Sequence, residues 1–364
     1  MSVVLNELET ARERINQLDA ELARLFEERM AAVNQVVAYK AAHDLPVLDT
    51  ERERQVLTKN LARLQNQELA PYFRQFLQSF MDISKDYQRS ILQKNTVAFA
   101  GAEGAFASQA ARELFPTYRY HSCADFAGVF QEVLAGQAAF GVIPFENSYT
   151  GEVGEVFDLL FKHNCYIQAI CDLPIRQNLL ALPGARLSGI KKVYSHTQAL
   201  SQCAAFLQEY NLQPQPYANT ALAAQFVADS GDLSLAAIAS AESARLYGLD
   251  ILAPSINSSS QNTTRFIVIG RELKACGSHF NLLFTVNHNA GQLARVMSLI
   301  GDLGFNMESI KSRPLRDLPW QYYFYVEIEG NVDDAAAQDL LVQLKNNCHS
   351  LKLLGSYDLL QISK

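Results

Sequence analysis

The sequence predicts three parts of different class: an all-α module, an open α/β region, and a small α+β unit. Three observations predict it. Residues 1 to about 94 hold no glycine and are rich in Ala, Leu, Glu, Arg and Gln, which is helix composition. From Thr96 to about Gly270, short β-rich runs alternate with helical stretches and glycine turns. From about Ser278 the order is strand, helix, strand, strand, helix, strand, with strands at 280–287, 306–313, 321–329 and 351–358 and helices at 291–303 and 333–346. That order is a ferredoxin-like βαββαβ unit. The domains that follow are 1–94, 95–272 and 278–364, with linkers at Lys94–Asn95 and Ala275–Ser278.

Length and charge narrow the function. At 364 residues the chain exceeds one ordinary core, and 20 Phe and 15 Tyr are ample for several. A net charge of −7 gives no support to a nucleic-acid surface. No run approaches the roughly 18 apolar residues of a membrane span, and the N-terminus reads as an acidic helix rather than a signal peptide. A cytoplasmic protein is expected. The six cysteines are scattered without a CxxC pair and read as reduced. The seven histidines show no HxH or HxxxH spacing, so neither a metal nor a cofactor is expected.

The first helix is expected over Leu5–His43. Leu8, Ile15, Leu18, Leu22, Leu25, Val33 and Val36 recur three or four apart, and Arg12, Arg29 and Lys40 fall on the same stripe. A buried cation needs a partner, so the three point to anion binding, against snorkelling at the stripe edge. Arg12 and Lys40 lie 28 residues apart, about 42 Å along a helix, too far to serve one small ligand. An antiparallel second copy, centred near residue 23, would bring its Arg12 beside Arg29 and Lys40. A homodimer through these helices is therefore expected.

Pro46 breaks the chain, and a second helix starts near Asp49 and Thr50, with Thr50 and Glu53 forming a capping box. Capping alone accounts for Asp49 and Glu53. Arg52 opposes the helix dipole and is harder to explain. The third helix, about 70–93, sets Ser84 and Gln88 within a stripe of Phe73, Phe76, Leu77, Phe80 and Ile91. Polar groups there need partners, which a polar ligand could supply.

Arg12 in TARERI, Arg29 in EERM, Lys40 in AYK, Asp49-x-x-Arg52-Glu53, Ser84 and Gln88 together resemble the all-helical chorismate mutases over residues 5–93. The resemblance implies a Claisen rearrangement of chorismate to prephenate, without nucleophile or cofactor. It implies that the partner's copy of Arg12, together with Arg29 and Arg52, grips the carboxylates. Lys40 and Gln88 would donate to the ether oxygen, Asp49 and Glu53 would meet the ring hydroxyl, and Ser84 a carboxylate.

In the middle region, Thr96–Ala100 reads as a strand that enters the Gly101–Gly104 turn and a helix from Ser108, an arrangement able to cradle an anion. It lacks GxGxxG and GxxxxGK[ST], so dinucleotide or ATP binding is weakly supported. Glu146-Asn147-Ser148-x-x-Gly151, His196-x-Gln198, Asn219-Thr220 and Thr264-Arg265-Phe266 put polar groups at strand ends or helix starts. Each alone is explained by capping or turn chemistry. Four at such places point to a ligand site.

With the Ala236–Leu249 stretch, these segments resemble prephenate dehydratase over residues 96–271. The resemblance implies two α/β lobes around a cleft, with Thr264 assisting departure of the ring hydroxyl. Asn147, Ser148 and Thr220 would be substrate contacts, and Arg265 would pair a carboxylate. The sequence departs from the family pattern at Ala105, Ala107, Gln177, Thr197 and Asn219.

Residues 278–360 resemble the ACT amino-acid-sensing domain. Asn289-Ala-Gly291-Gln-Leu293 stands for its Pro-Gly-Ala-Leu turn, and Ile310-Lys311-Ser312-Arg313-Pro314 for its Glu-Ser-Arg-Pro motif. This implies L-phenylalanine as effector, held near Gly291, Leu293, Ser312 and Arg313, with feedback inhibition. Gln292 and Lys311 alter both motifs, so weakened or altered phenylalanine sensitivity is expected. A non-catalytic amino-acid-responsive binding protein is the alternative of a different class, and a mutase with a weak or arogenate-preferring dehydratase the nearer one.

Overall fold

Residues 2–43, 49–259, 261–315 and 318–361 are described by the structure, a computed structural model. Pro46 lies outside them, as does the side chain of Thr50. The chain divides into two compact units, Met1–Asn95 and Thr96–Lys364.

The first unit is helical: α1 (Ser2–Ala42), α2 (Thr50–Leu61) and α3 (Ala70–Lys94). Asp49 caps α2, its carboxylate accepting from the Arg52 backbone N–H at 2.9 Å. Packing departs from the expectation of a buried stripe. Leu8, Ile15, Leu18, Leu22 and Leu25 are 46–56% exposed, and Arg12 beside them is exposed too. Burial on α1 falls on Met30 and Val37, in the half that bears Arg29, where Phe26 also meets Phe80 of α3 at 5.6 Å between ring centroids. The buried pair lies beside the expected stripe rather than on it, and the stripe member Val36 is 46% exposed. Among the described residues nothing buries the amino-terminal half of the stripe.

The second unit contains two lobes and a C-terminal layer. Lobe A runs through β1 (Thr96–Ala100), α4 (Phe106–Leu114), β2 (Arg119–Cys123), α5 (Phe126–Leu134), β3 (Phe140–Asn147), β4 (Gly151–Glu152), α6 (Gly154–Lys162) and β5 (Tyr166–Pro174). Lobe B follows as β6 (Asn178–Ala181), β7 (Lys192–Ser195), α7 (Thr197–Gln202), α8 (Ala204–Glu209), β8 (Gln213–Pro216), α9 (Thr220–Ser230), β9 (Leu235–Ala239), α10 (Ala241–Tyr247) and β10 (Asp250–Ala253). The chain then returns to lobe A with β11 (Thr263–Gly270). Lobe B has strand order β10-β6-β9-β7-β8. Two segments cross between the lobes, and Ile175 N–H to Asn262 O (2.8 Å) and Ile256 N–H to Gln177 O (2.8 Å) zip them together.

The C-terminal layer is β12 (His279–Thr285), α11 (Gln292–Asp302), β13 (Asn306–Pro314), β14 (Tyr322–Glu329), α12 (Ala335–Asn347) and β15 (Ser350–Tyr357), an antiparallel sheet of order β13-β14-β12-β15. The expected βαββαβ order is present, but the layer does not stand apart from the lobes. The strand after it, β16 (Leu359–Gln361), joins lobe A, whose sheet runs β16-β5-β11-β3-β1-β2 with β4 on β3. Tyr323, Tyr325, Leu354 and Tyr357 bury into the core that Phe145, Phe157 and Ile170 share in lobe A.

Gly355 marks the closest approach of the two sheets. A Cβ there would overlap the Ile167 carbonyl oxygen, a backbone atom with no rotamer to escape into. Gly355→Ala is expected to cost about 1–3 kcal/mol of stability through overpacking, read as a lowered Tm. An unchanged Tm would show that β15 and β5 separate freely.

Candidate functional site

In the helical unit the burial of Arg29 is resolved by neighbours on α3. Its guanidinium donates to Ser84 Oγ, and its Cζ lies 4.4 Å from the Phe80 ring centroid. Burial lowers the Arg29 pKa from its ordinary value, and a cation over an aromatic face gains electrostatic attraction there. Ser84 is 3% exposed and donates on to Phe80 O at 2.7 Å. One turn further along α3, Gln88 Oε1 is buried with no partner among the described residues. Arg29, Ser84 and Gln88 thus form a cationic, hydrogen-bonding face on α1 and α3. Lys40 is half-buried near the end of α1.

The remaining predicted residues behave differently. Asp49 does the capping that its position alone explains, and Arg52 is exposed. Glu53 pairs with Lys85 of α3 at 2.9 Å, and Lys85 also pairs with Asp82 at 2.8 Å. Those carboxylates, Asp82 first, raise the Lys85 pKa. Lys85 was not picked out from the sequence. Its i,i+3 spacing to Asp82 was visible, but its reach to Glu53 depends on how α2 packs on α3.

In the second unit, topology gathers the polar strand ends. Because β1 and β3 are parallel while β11 runs against β3, the end of β3 meets the start of β11, with Asn147 opposite Thr264 and Glu146 opposite Arg265. An extra residue, Phe145, bulges β3 just before this point, and bulges re-aim the side chains beside them. In lobe B, the parallel strands β7, β8 and β9 lead directly into α7, α9 and α10. Their first turns are capped by His196, Asn219 and Ser240 side chains.

Asn147 is the hub. Its Nδ2 donates to Thr264 Oγ1 (2.9 Å) and Asn262 Oδ1 (2.9 Å), while its Oδ1 accepts from the Tyr149 and Thr150 backbone N–H groups at 2.9 and 3.1 Å. Thr264 is 9% exposed. With one lone pair of its hydroxyl oxygen filled by an N–H, its own proton is free to be donated elsewhere, and a donor so polarised donates more strongly. Ser148 ties the same corner, its Oγ accepting from Thr263 N–H at 3.0 Å.

Several hydrogen bonds cross the cleft between the lobes. Asn262 Nδ2 donates to Gln202 Oε1 (3.2 Å), Gln198 Nε2 to Thr150 Oγ1 (3.3 Å), and the Ser240 and Ser243 hydroxyls to Gly104 O (2.7 and 2.9 Å). Gly104 has φ of +81°, and a Cβ there would sit 2.8 Å from Ser243 Oγ, so the glycine turn needs glycine on both counts. Thr220 opens α9 half-buried, beside the Asn219 cap. Asn262, Gln202, Ser240 and Ser243 were not singled out as site residues from the sequence. Asn262 ends a polar run before Thr264, which is the signal that could have found it.

Arg265 lies on the other face of β11 from Thr264. It donates to Asp172 at 3.0 Å and to Glu327 of the C-terminal layer at 3.3 Å, so protein carboxylates already occupy it. Burial alone would lower its pKa, but the Asp172 hydrogen bond and the two negative charges outweigh that and raise it. Arg313 is likewise engaged, with Glu152 at 3.0 Å and Asp158 at 3.5 Å, and Lys311 pairs with Glu146. Ser312 between them is exposed. Gly291 adopts φ of +81° at the N-cap of α11, and Leu293 packs into the core of the C-terminal layer.

Among the described residues no cluster of three metal-ligating side chains occurs, and no helix is long and apolar enough to cross a membrane. The helical cationic face and the two-lobed cleft together define a multidomain enzyme acting on small polar molecules.

The chorismate mutase type II family matches residues 11–89, and the prephenate dehydratase family residues 97–274. The chain is 33% identical over 361 residues to the bifunctional chorismate mutase/prephenate dehydratase of Aquifex aeolicus, covering 97% of this chain and 98% of that one. It is 31% identical to the protein of the same description from Escherichia coli K12, covering 97% and 96%. Among solved structures, the prephenate dehydratase of Arthrobacter aurescens in complex with L-Phe superposes with a TM-score of 0.66 at 26% identity, over 72% of this chain and 89% of that one. A protein described as GqqA, a quorum quenching acylase, superposes at 0.68 with 28% identity, over 73% and 98%. The chain belongs to the bifunctional chorismate mutase/prephenate dehydratase family.

Proposed function

We propose that the helical unit rearranges chorismate to prephenate and that the two-lobed cleft converts prephenate to phenylpyruvate, carbon dioxide and water, through the residues named below. Both activities are those of the family, which serves phenylalanine biosynthesis. The observation that carries the dehydratase assignment is the Asn147–Thr264 hydrogen bond. Loss of the ring carboxylate as carbon dioxide supplies electrons to the ring, and the ring hydroxyl must leave. A threonine hydroxyl is too weak an acid to protonate it unaided, so Thr264 acts as a positioned donor. Asn147 orients that donor. Ser148 and Thr220 contact substrate at the two lips of the cleft. Arg265 is reassigned from substrate contact to support of the strand.

In the mutase, Arg29 and Ser84 hold a carboxylate, and Gln88 and Lys40 stabilise the ether oxygen as it gains negative charge. Asp49, Arg52 and Glu53 line the far end of that site. Arg12 comes from a second copy, through an antiparallel homodimer that covers Leu8, Ile15, Leu18, Leu22 and Leu25. The exposure of that strip supports the pairing. Sedimentation is expected to give at least a dimer, and a monomer with full mutase activity would contradict it.

Residues 278–364 act as an ACT regulatory domain, with 1–94 and 95–272 as the mutase and dehydratase domains and the cytoplasm as the setting. L-phenylalanine is the effector at Gly291, Leu293 and Ser312. Weak feedback is expected, because Lys311 and Arg313 are taken up by Glu146, Glu152 and Asp158. Titrating phenylalanine into a prephenate assay tests this, and full inhibition at micromolar effector would contradict it.

A further inference from the structure

The two central residues of the dehydratase corner each have a charged neighbour that is held from outside the two lobes. Glu146 precedes Asn147, and Arg265 follows Thr264. They face each other across the β3–β11 pair, on the side away from the Asn147–Thr264 hydrogen bond. Both are gripped by the C-terminal sheet with the complementary charge: Glu146 by Lys311 of β13, and Arg265 by Glu327 of β14.

Glu327 is the more constrained of the two grips. It is 1% exposed, and a carboxylate so buried is strongly destabilising unless its oxygens are satisfied. One oxygen accepts from Arg265 at 3.3 Å and the other from Tyr357 OH at 2.8 Å. Burial raises the Tyr357 and Tyr325 pKa values, so both phenols stay protonated, and Tyr357 donates to Glu327. Tyr325 packs against Phe145, the bulged residue of β3, at 5.3 Å between centroids. Arg265 itself is fixed at a second point by Asp172 of β5. A guanidinium held by two carboxylates on two different sheets has little freedom, and neither does the peptide that joins it to Thr264.

We propose that Glu327 is a positioning residue of the dehydratase: through Arg265 it holds the start of β11 in register, so that the Thr264 hydroxyl is aimed at the leaving group. The C-terminal layer is thereby a structural part of the dehydratase site, whatever effector it binds. This rests on the assignment of Thr264 and Asn147 to that site.

The test uses the full chain with prephenate as substrate. Glu327→Gln keeps the volume and is expected to lower kcat about tenfold with KM within about twofold, the pattern of a group that sets geometry rather than affinity. Glu327→Ala is expected to lower kcat further, about a hundredfold. If the effect runs through Arg265, Glu327→Gln adds little in an Arg265→Gln background, since coupled residues are non-additive. A merely structural role predicts the same fold loss in both backgrounds. Wild-type kcat in Glu327→Gln, or full additivity with Arg265→Gln, overturns the proposal. Thr264→Ala run in parallel separates the two readings. If it keeps the wild-type rate, the site assignment itself fails. If it is inactive while Glu327→Gln is normal, only the role of Glu327 fails.

Discussion

Thr264→Ala is expected to lower prephenate dehydration by about two to three orders of magnitude while chorismate turnover stays within about twofold of wild type. The magnitude is that of removing one preorganised donor from a developing charge. Thr264 meets the conditions for such a donor: it is nearly buried, and its oxygen already accepts the Asn147 N–H. Thr264→Ser keeps the hydroxyl and is expected to recover much of the rate, at some cost in rotamer order, because the β-branched threonine is stiffer at χ1. Stopped assays that measure phenylpyruvate from supplied prephenate check both variants. Wild-type dehydration in Thr264→Ala would remove the hydroxyl from the chemistry.

Lys40→Ala and Arg12→Ala are each expected to reduce mutase turnover by several orders of magnitude, and mixing the two inactive proteins is expected to restore part of it. The distance argument leads here. About 42 Å of helix separates the two cations, so one site cannot use both from one chain. In a mixed antiparallel dimer, one site combines the intact Lys40 of the Arg12→Ala chain with the intact Arg12 of the Lys40→Ala chain, and the other site lacks both. Random exchange makes half the dimers mixed, each with one good site of two, so about a quarter of wild-type turnover returns. Chorismate loss after unfolding and refolding the mixture together measures it. Failure to recover any activity, with each parent inactive alone, would contradict a shared site.

The all-α module, the βαββαβ layer and the first strand, Thr96–Ala100, were legible in the sequence because they rest on local signals. These are glycine-free helix composition, alternation, and polar residues at strand ends. The Asn147–Thr264 corner was legible only as two motifs 117 residues apart. Their meeting depends on β11 pairing antiparallel with β3, a non-local fact that no window of sequence contains. The same limit explains Arg265. A cation directly after a polar segment reads as a ligand for substrate, whereas its partner Glu327 lies 62 residues onward in another sheet. The ion pair of Glu53 with Lys85 was hidden for a similar reason, since Lys85 reaches it only through helix packing. For α1, periodicity shows which face is apolar but not whether this chain or another covers it. Leu8 to Leu25 are therefore exposed here despite a clear stripe.

The central claim is that one chain carries two separable sites that act in sequence on one substrate. Supplying only chorismate and following prephenate and phenylpyruvate together tests it most directly. The wild-type chain is predicted to form phenylpyruvate, Thr264→Ala to stop at prephenate, and Lys40→Ala to leave chorismate unused while still converting added prephenate. Loss of both activities in either variant, or phenylpyruvate from chorismate in Thr264→Ala, would contradict it.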